Sequence, residues 1–295
     1  IFDEQKINYE NCDGKLPLKV KGELVSGEFS IPGNISSQFI TGLLFILPLL
    51  NGDSTLKITT ELESKGYVDL TIDMLKKFGI DIINNEYKEF QIRGNKKYKP
   101  CNYRVEGDYS QVAFFVVAGL IGEDIQCLDI NLDSNQGDKV IIDIAREMGG
   151  NIIIEENSIK VKKSKTHGTT IDASQCPDII PVLSVLGALS QGETRIINGE
   201  RLRIKESDRL LAIATELNKL GANIIETEDG LIIKGVNSLC GGKVDSWNDH
   251  RIAMSLGIAS IRATDVVELS GSKAITKSYP RFWDDFKMLG GRIDG

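Results

Sequence analysis

The chain has 295 residues, 41% hydrophobic and 26% charged, a composition for a globular protein of about two domains. Its net charge of −7 argues against a nucleic-acid binder, which needs many lysines and arginines set against phosphates, and its longest apolar run, Phe39 to Leu50, is too short and too interrupted to cross a bilayer. Five scattered cysteines (12, 101, 127, 176, 240) with no CxxC pair, beside only two histidines, exclude a Cys/His metal cluster and read as free thiols of a reducing, cytoplasmic compartment.

Before Ser36 the sequence offers one expected strand pair, Leu18–Lys21 with Glu28–Ile31. From there a pattern repeats. Nearly all-apolar helices are expected to open at Ser37, Asp108, Asp178 and Asp249, spaced by 71, 70 and 71 residues. A β-rich run follows each: Thr55–Thr59, Ile125–Ile130, Thr194–Asn198 and Asp265–Ser270. An amphipathic helix comes next and stops at a glycine, followed by paired strands such as Ile152–Glu155 with Ser158–Lys162. The stops, Gly79, Gly149, Gly221 and Gly290, are spaced by 70, 72 and 69 residues. Two independent markers with one period identify an internal duplication of about 70 residues. The apolar helices should be buried and the amphipathic ones should lie outside, which makes the fold α/β with helices inside sheets.

The densest polar stretch is Gly199 to Arg209, GERLRIKESDR. It runs into a helix marked by Leu210, Ile213, Ala214 and Leu217, with Asp208 as N-cap and Lys219 and Gly221 at the far end. Lys205 and Arg209 therefore lie near a helix N-terminus, which favours an anion. Taken alone, such a cluster reads first as a solvated charged turn. The same holds elsewhere: Ser36 and Ser37 read as N-caps, Asp178 after Pro177 as another cap, and His250 as a structural histidine. Lys277 reads as a surface lysine and Tyr67 as a packing aromatic. Their recurrence at matching points of the repeat raises them together. The apolar helices begin at Ser36-Ser37-Gln38, Asp178 and Asn248-Asp249-His250-Arg251. The amphipathic helices are expected to begin at Ser64-Lys65-Tyr67, Lys205-Glu206-Arg209 and Lys277-Ser278-Tyr279. Packed around a common axis, these ends would give a cationic cleft with two or three carboxylates, suited to phosphate or carboxylate ligands and to proton transfer. Ser134 to Asp138, the equivalent stretch of another repeat, has no role legible in the sequence.

Five stretches, RIKESDR (203–209), NDHRIAM (248–254), ISSQF (35–39), SKGYVDL (64–70) and ITKSYP (275–280), together resemble the 5-enolpyruvylshikimate-3-phosphate synthase family, and the likeness covers essentially the whole chain. The resemblance implies an enolpyruvyl-transferase-like inside-out α/β barrel, with βαβαββ units around buried helices. It implies a partial N-terminal domain over 1–105 and a C-terminal domain of three units over 106–295, hinged near Val105–Asp108. The implied reaction moves the enolpyruvyl group of phosphoenolpyruvate to the 5-hydroxyl of shikimate 3-phosphate and releases phosphate. It serves aromatic amino-acid biosynthesis, in a cytoplasmic protein that is monomeric at full length. No metal or cofactor is implied, and no nucleic-acid or membrane partner. Carried over by motif, Ser36, Ser37, Gln38, Ser64, Tyr67, Asp178 and Lys205 would contact shikimate 3-phosphate. Gln38, Arg209, Arg251 and Lys277 would contact phosphoenolpyruvate. Asp178, Glu206 and Lys205 would be the catalytic residues. With Ile1 at its start and about four of the family's six units, the chain is expected to be a truncated form with little or no activity. The rival readings are a UDP-N-acetylglucosamine enolpyruvyl transferase and a non-catalytic anion-binding module.

Overall fold

The computed structural model describes residues 1–294. The chain forms two compact units, residues 1–104 and residue 105 onward.

The first unit opens with β1 (Asn8–Cys12) and β2 (Lys15–Lys21), an antiparallel hairpin whose residues are all exposed. It continues through β3 (Glu28–Ile31), α1 (Ser37–Ile46), β4 (Ser54–Ile58), α2 (Lys65–Lys77), β5 (Ile82–Asn85) and β6 (Glu89–Ile92). These strands form one sheet in the order β3-β4-β6-β5, with β3 and β4 parallel and the other pairs antiparallel. The expected pairing of Leu18–Lys21 with Glu28–Ile31 is therefore wrong. Residues 18–21 pair with β1, while β3 takes β4 as its neighbour because the helix between them allows a parallel crossover. The core of this unit includes Phe29, Ile40, Leu44, Leu56, Val68, Leu75 and Phe90.

In the second unit the elements are α3 (Tyr109–Ile121), β7 (Ile125–Leu128), α4 (Ile141–Glu147), β8 (Asn151–Glu155), β9 (Ser158–Lys162), β10 (Thr170–Asp172), α5 (Ile180–Ala188), β11 (Glu193–Ile197) and α6 (Arg209–Lys219). After them come β12 (Asn223–Glu226), β13 (Leu231–Lys234), β14 (Gly242–Asp245), α7 (His250–Ala259), β15 (Val267–Ser270) and α8 (Phe282–Met288). Strands β10-β11-β13-β12 repeat the topology of the first unit's sheet, again with a parallel first pair. Strands β7-β9-β8 make an antiparallel sheet, and β14 pairs with β15 in parallel. No strand follows α8 among the described residues.

Helices α3, α5 and α7 pack on one another, as their sequences require. Eleven of the thirteen residues of α3 are buried, and so is every residue of α5 and α7. Each large aliphatic side chain sequestered in this way contributes about 1.5–3 kcal/mol. Gly187 lets α5 approach β11, since a Cβ there would lie 3.1 Å from the Thr194 side chain. The four helix-stopping glycines all adopt positive φ: 81° at Gly79, 89° at Gly149, 84° at Gly221 and 98° at Gly290. Helix α1 departs from expectation. Only Ser37, Ile40 and Leu44 of its ten residues are buried, while Phe39 is 58% exposed and Phe45 is 43% exposed. An apolar helix needs neighbours on every side to disappear from water, and α1 packs chiefly against α2 and its own sheet. Among the described residues no helix is long and apolar enough to cross a membrane.

Candidate active site

Parallel strand pairs determine where the polar residues go. Neighbouring parallel strands end on the same edge, so the loops leaving them start side by side. In the first unit β3 leads to the Ser36 loop and β4 to the Ser64 loop. The two loops are tied: Gly33 N donates to Thr60 Oγ1 (2.9 Å) and Glu63 N to Gly33 O (3.2 Å). A Cβ at Gly33 would collide with the backbone of Glu61 and Leu62. Ser36 caps α1, accepting from Gln38 N at 3.3 Å. Ser37 is buried and Gln38 exposed. Ser64, also buried, stands before α2 with φ 55°, a left-handed geometry that non-glycine residues rarely adopt, and its carbonyl accepts from Tyr67 N at 3.1 Å.

The second unit repeats the device with charge. Strand β10 leads to Asp178, β11 to the 199–208 loop, β14 to Asp249–Arg251 and β15 to Lys277. Lys205 and Lys277 follow or end short 3-10 turns, Glu200–Ile204 and Ser272–Lys277, rather than opening helices as the sequence suggested. Helix α8 begins only at Phe282. Tyr279 belongs to the packing: its ring lies against Phe115 and Phe282, and its hydroxyl donates to Asp285.

Arg209 is the centre of this cluster, with 1% of its side chain exposed. Its Nε donates to Asp249 Oδ2 (2.9 Å), one terminal nitrogen to Asp178 Oδ1 (2.8 Å) and the other to Glu206 Oε2 (2.7 Å). Three carboxylates thereby offset a cation placed against the positive end of α6. Asp208 caps that helix as expected, accepting from Leu211 N at 3.1 Å. Asp178 also faces Lys205 at 3.8 Å and Arg251 at 3.5 Å. Burial alone would raise the Asp178 carboxyl; Arg251, Arg209 and Lys205 overcome it and hold the group well below the usual carboxylate range. Burial lowers Lys205, with Asp178 pulling the other way. Arg251 donates to the Ser110 carbonyl (3.0 Å) and hydroxyl (2.9 Å), while its buried Nε has no hydrogen-bond partner in the protein. Lys277 donates its ammonium to the Asn248 carbonyl.

Of the sequence-predicted residues, Asp178, Lys205, Glu206, Arg209 and Arg251 are thus linked by ion pairs within 4 Å. Lys277 joins through the residue before Asp249. Ser36, Ser37, Gln38, Ser64 and Tyr67 form the first unit's uncharged share. The sequence reading named Asp249 only as a helix start and left Ser110 out. Asp249 is fully buried and holds Arg209, Ser207 Oγ (3.0 Å) and the Arg251 amide (2.8 Å) together; its place in NDHR was the available signal. Burial would raise Asp249 too, and Arg209 with the Arg251 amide and the Ser207 hydroxyl lowers it. Ser110 carried no signal, because only folding brings it to Arg251 across 141 positions. The stretch with no legible role is structural: Ser134 Oγ (2.5 Å) and Gln136 Nε2 (2.8 Å) donate to Glu106, and Gln136 accepts from Tyr109 N at 2.9 Å, fastening the start of α3.

Residues 4–286 match the family model of EPSP synthase (3-phosphoshikimate 1-carboxyvinyltransferase). The chain is 62% identical to the 3-phosphoshikimate 1-carboxyvinyltransferase of Clostridium novyi (strain NT), over 100% of this chain and 68% of that protein. With its Clostridium acetobutylicum counterpart it shares 60% identity, over 99% and 68%. Among solved structures it superposes on EPSP synthase from Acinetobacter baumannii with a TM-score of 0.82 at 25% identity, covering 99% of this chain and 69% of that one. The enolpyruvyl transferase NikO from Streptomyces tendae shares the fold, with a TM-score of 0.80 at 18% identity over 99% of this chain and 70% of that one. With most of its length matched by the family model and such identity to its bacterial relatives, the chain belongs to the EPSP synthase family of 3-phosphoshikimate 1-carboxyvinyltransferases.

Proposed function

We propose that the protein transfers the enolpyruvyl group of phosphoenolpyruvate to the 5-hydroxyl of shikimate 3-phosphate, with release of phosphate. The observation that carries the reading is the ion cluster around Arg209, which combines two accessible carboxylates with Lys205, Arg209 and Arg251. In this reading the protein works as a cytoplasmic monomer, with a domain boundary at 105/106. Ser36, Ser37, Gln38, Ser64, Tyr67 and Lys205 hold shikimate 3-phosphate. Arg209, Arg251 and Lys277, with Gln38, hold phosphoenolpyruvate.

The chemistry is addition followed by elimination. The substrate hydroxyl oxygen bonds to C2 of phosphoenolpyruvate and gives its proton to Asp178, while Glu206 delivers a proton to the methylene carbon. The C2–O bond to phosphate then breaks, the methyl carbon returns its proton to Glu206, and the proton on Asp178 leaves with phosphate. Held as low as it is, Asp178 is a weak base. A substrate carboxylate and phosphate would compete for Arg209 and Arg251, weaken their hold on Asp178 and raise its basicity when the hydroxyl is in place. Fixed cations then stabilise the charge of the tetrahedral intermediate.

The test is phosphate release from phosphoenolpyruvate with shikimate 3-phosphate or UDP-N-acetylglucosamine as acceptor. It is run on this chain and on one of the relatives' full length. The expected result is release with shikimate 3-phosphate only, by the relative's full length and little or none by this chain, lost by about 10²–10⁴-fold when the full-length protein carries the change equivalent to Asp178→Asn, the range for removing a general base. Release with the UDP-sugar alone would overturn the reading.

A further inference from the structure

Glu216 lies two turns along α6 from Arg209, and 1% of its side chain is exposed. All its acceptor capacity is used. Oε1 accepts from Trp247 Nε1 (2.8 Å), Oε2 accepts from Asp245 N (3.0 Å), and the Lys219 ammonium donates to both oxygens at 2.8 Å. A buried carboxylate is retained only when donors surround it in this way. What it grips is the link from β14 to α7.

That link is strained. Trp247 has φ 54° and Asn248 φ 52°, two successive non-glycine residues in the left-handed region. The turn is fastened from inside by Trp247 N to Asp245 Oδ1 (2.6 Å) and Asn248 N to Ser246 Oγ (3.2 Å). Its shape has two consequences. The Asn248 carbonyl receives the Lys277 ammonium, and the next residue, Asp249, caps α7 and bonds Arg209. Helix α6 therefore holds the link at two points, Arg209 on Asp249 and Glu216 on Asp245 and Trp247.

We propose that Glu216 is a positioning residue for phosphoenolpyruvate, acting through Trp247 to keep the left-handed Trp247–Asn248 turn that orients Lys277 and sets the start of α7 at Arg251. The proposal rests on the functional reading above, which assigns Lys277 and Arg251 to that substrate. Shikimate 3-phosphate is held by other residues in that reading, so loss of the grip should discriminate between the two substrates.

Glu216→Gln keeps the size of the side chain but replaces one acceptor with a donor facing Lys219 or an amide. The expected result is a rise of ~10-fold in KM for phosphoenolpyruvate, with KM for shikimate 3-phosphate within about twofold of wild type. Trp247→Phe removes one donor while leaving Glu216 paired with Lys219, so it should move the same constant by ~3-fold and guards against a folding defect. Equal rises in both KM values, or an unchanged KM for phosphoenolpyruvate, would overturn the proposal. Turnover of neither acceptor, by this chain or by the relative's full length, would count against the functional reading alone. Positioning is then decided by amine-reagent labelling of Lys277 followed by mass spectrometry. Faster labelling in Glu216→Gln than in wild type supports the grip, and equal rates overturn it.

Discussion

The two units treat one sequence device, a nearly all-apolar helix, in different ways. In the second unit three such helices bury one another, and every residue of α5 and α7 is out of solvent. In the first unit α1 has no helix of its own kind to pack on and leaves Phe39, Phe45 and Ile46 exposed. The polar ends differ in the same direction: hydroxyls and an amide at Ser36–Gln38 and Ser64, against interlocked ions around Arg209. Burial of a helix and tolerance of charge go together here. Only where helices and strand ends close around Arg209 do its carboxylates have enough fixed donors to remain ionised out of water.

The largest effect should come from breaking that closure. Arg209→Ala leaves Asp178 and the fully buried Asp249 without their main counter-charge, and removal of one partner from a buried ion network costs about 3–5 kcal/mol. Denaturant unfolding monitored by hydrogen exchange should show the loss in the second unit and leave the first unchanged. A loss shared equally would mean the two units unfold together. The helices offer a sharper contrast. Phe114→Ala in α3 removes a fully buried ring and should cost about 3–5 kcal/mol, whereas Phe45→Ala in α1 should stay within about 1 kcal/mol. Similar costs at both sites would show that the exposed face of α1 is covered in solution.

The smallest effect is that of pH, and its sign differs between the units. Asp178 and Asp249 have folded values below those of the unfolded chain, so their stabilisation is complete above about pH 4 and fades as pH falls below it. His250, lowered by burial and then by Arg251, adds a loss that begins below about pH 6.5. In the first unit Asp69 is raised, chiefly by burial with the Tyr87 hydrogen bond opposing, so acid relieves rather than removes stability there. Hydrogen exchange between pH 6.5 and 3.5 should show protection falling earlier in the second unit.

Much of this was legible in the sequence. The glycine stops and apolar helix starts carry one period, and both follow from local rules: a left-handed residue ends a helix, and a side-chain acceptor begins one. Asp108, Asp208 and Asp249 cap as their neighbours demanded. The residues around Arg209 were named because repeats place polar residues at matching helix starts and because RIKESDR and NDHRIAM resemble the family's motifs. The sequence misled on which strand becomes a neighbour and on where a helix begins. Leu18–Lys21 was paired with the wrong strand, because period-two patterning does not say which edge a strand will find. Lys277 was placed on a helix that starts five residues later.

What the sequence determined by itself was therefore the repeat, its elements and the candidate polar residues, all set by interactions within a few turns of the chain. Tertiary structure alone decided that α1 is half exposed while α5 is buried, since burial depends on which surfaces meet. It alone decided that Ser110 reaches Arg251, that Asp249 joins two arginines and that Glu216 grips a turn 31 residues away. Those contacts are made by hydrogen bonds of about 3 Å, whose partners are chosen by packing of helices rather than by proximity in sequence.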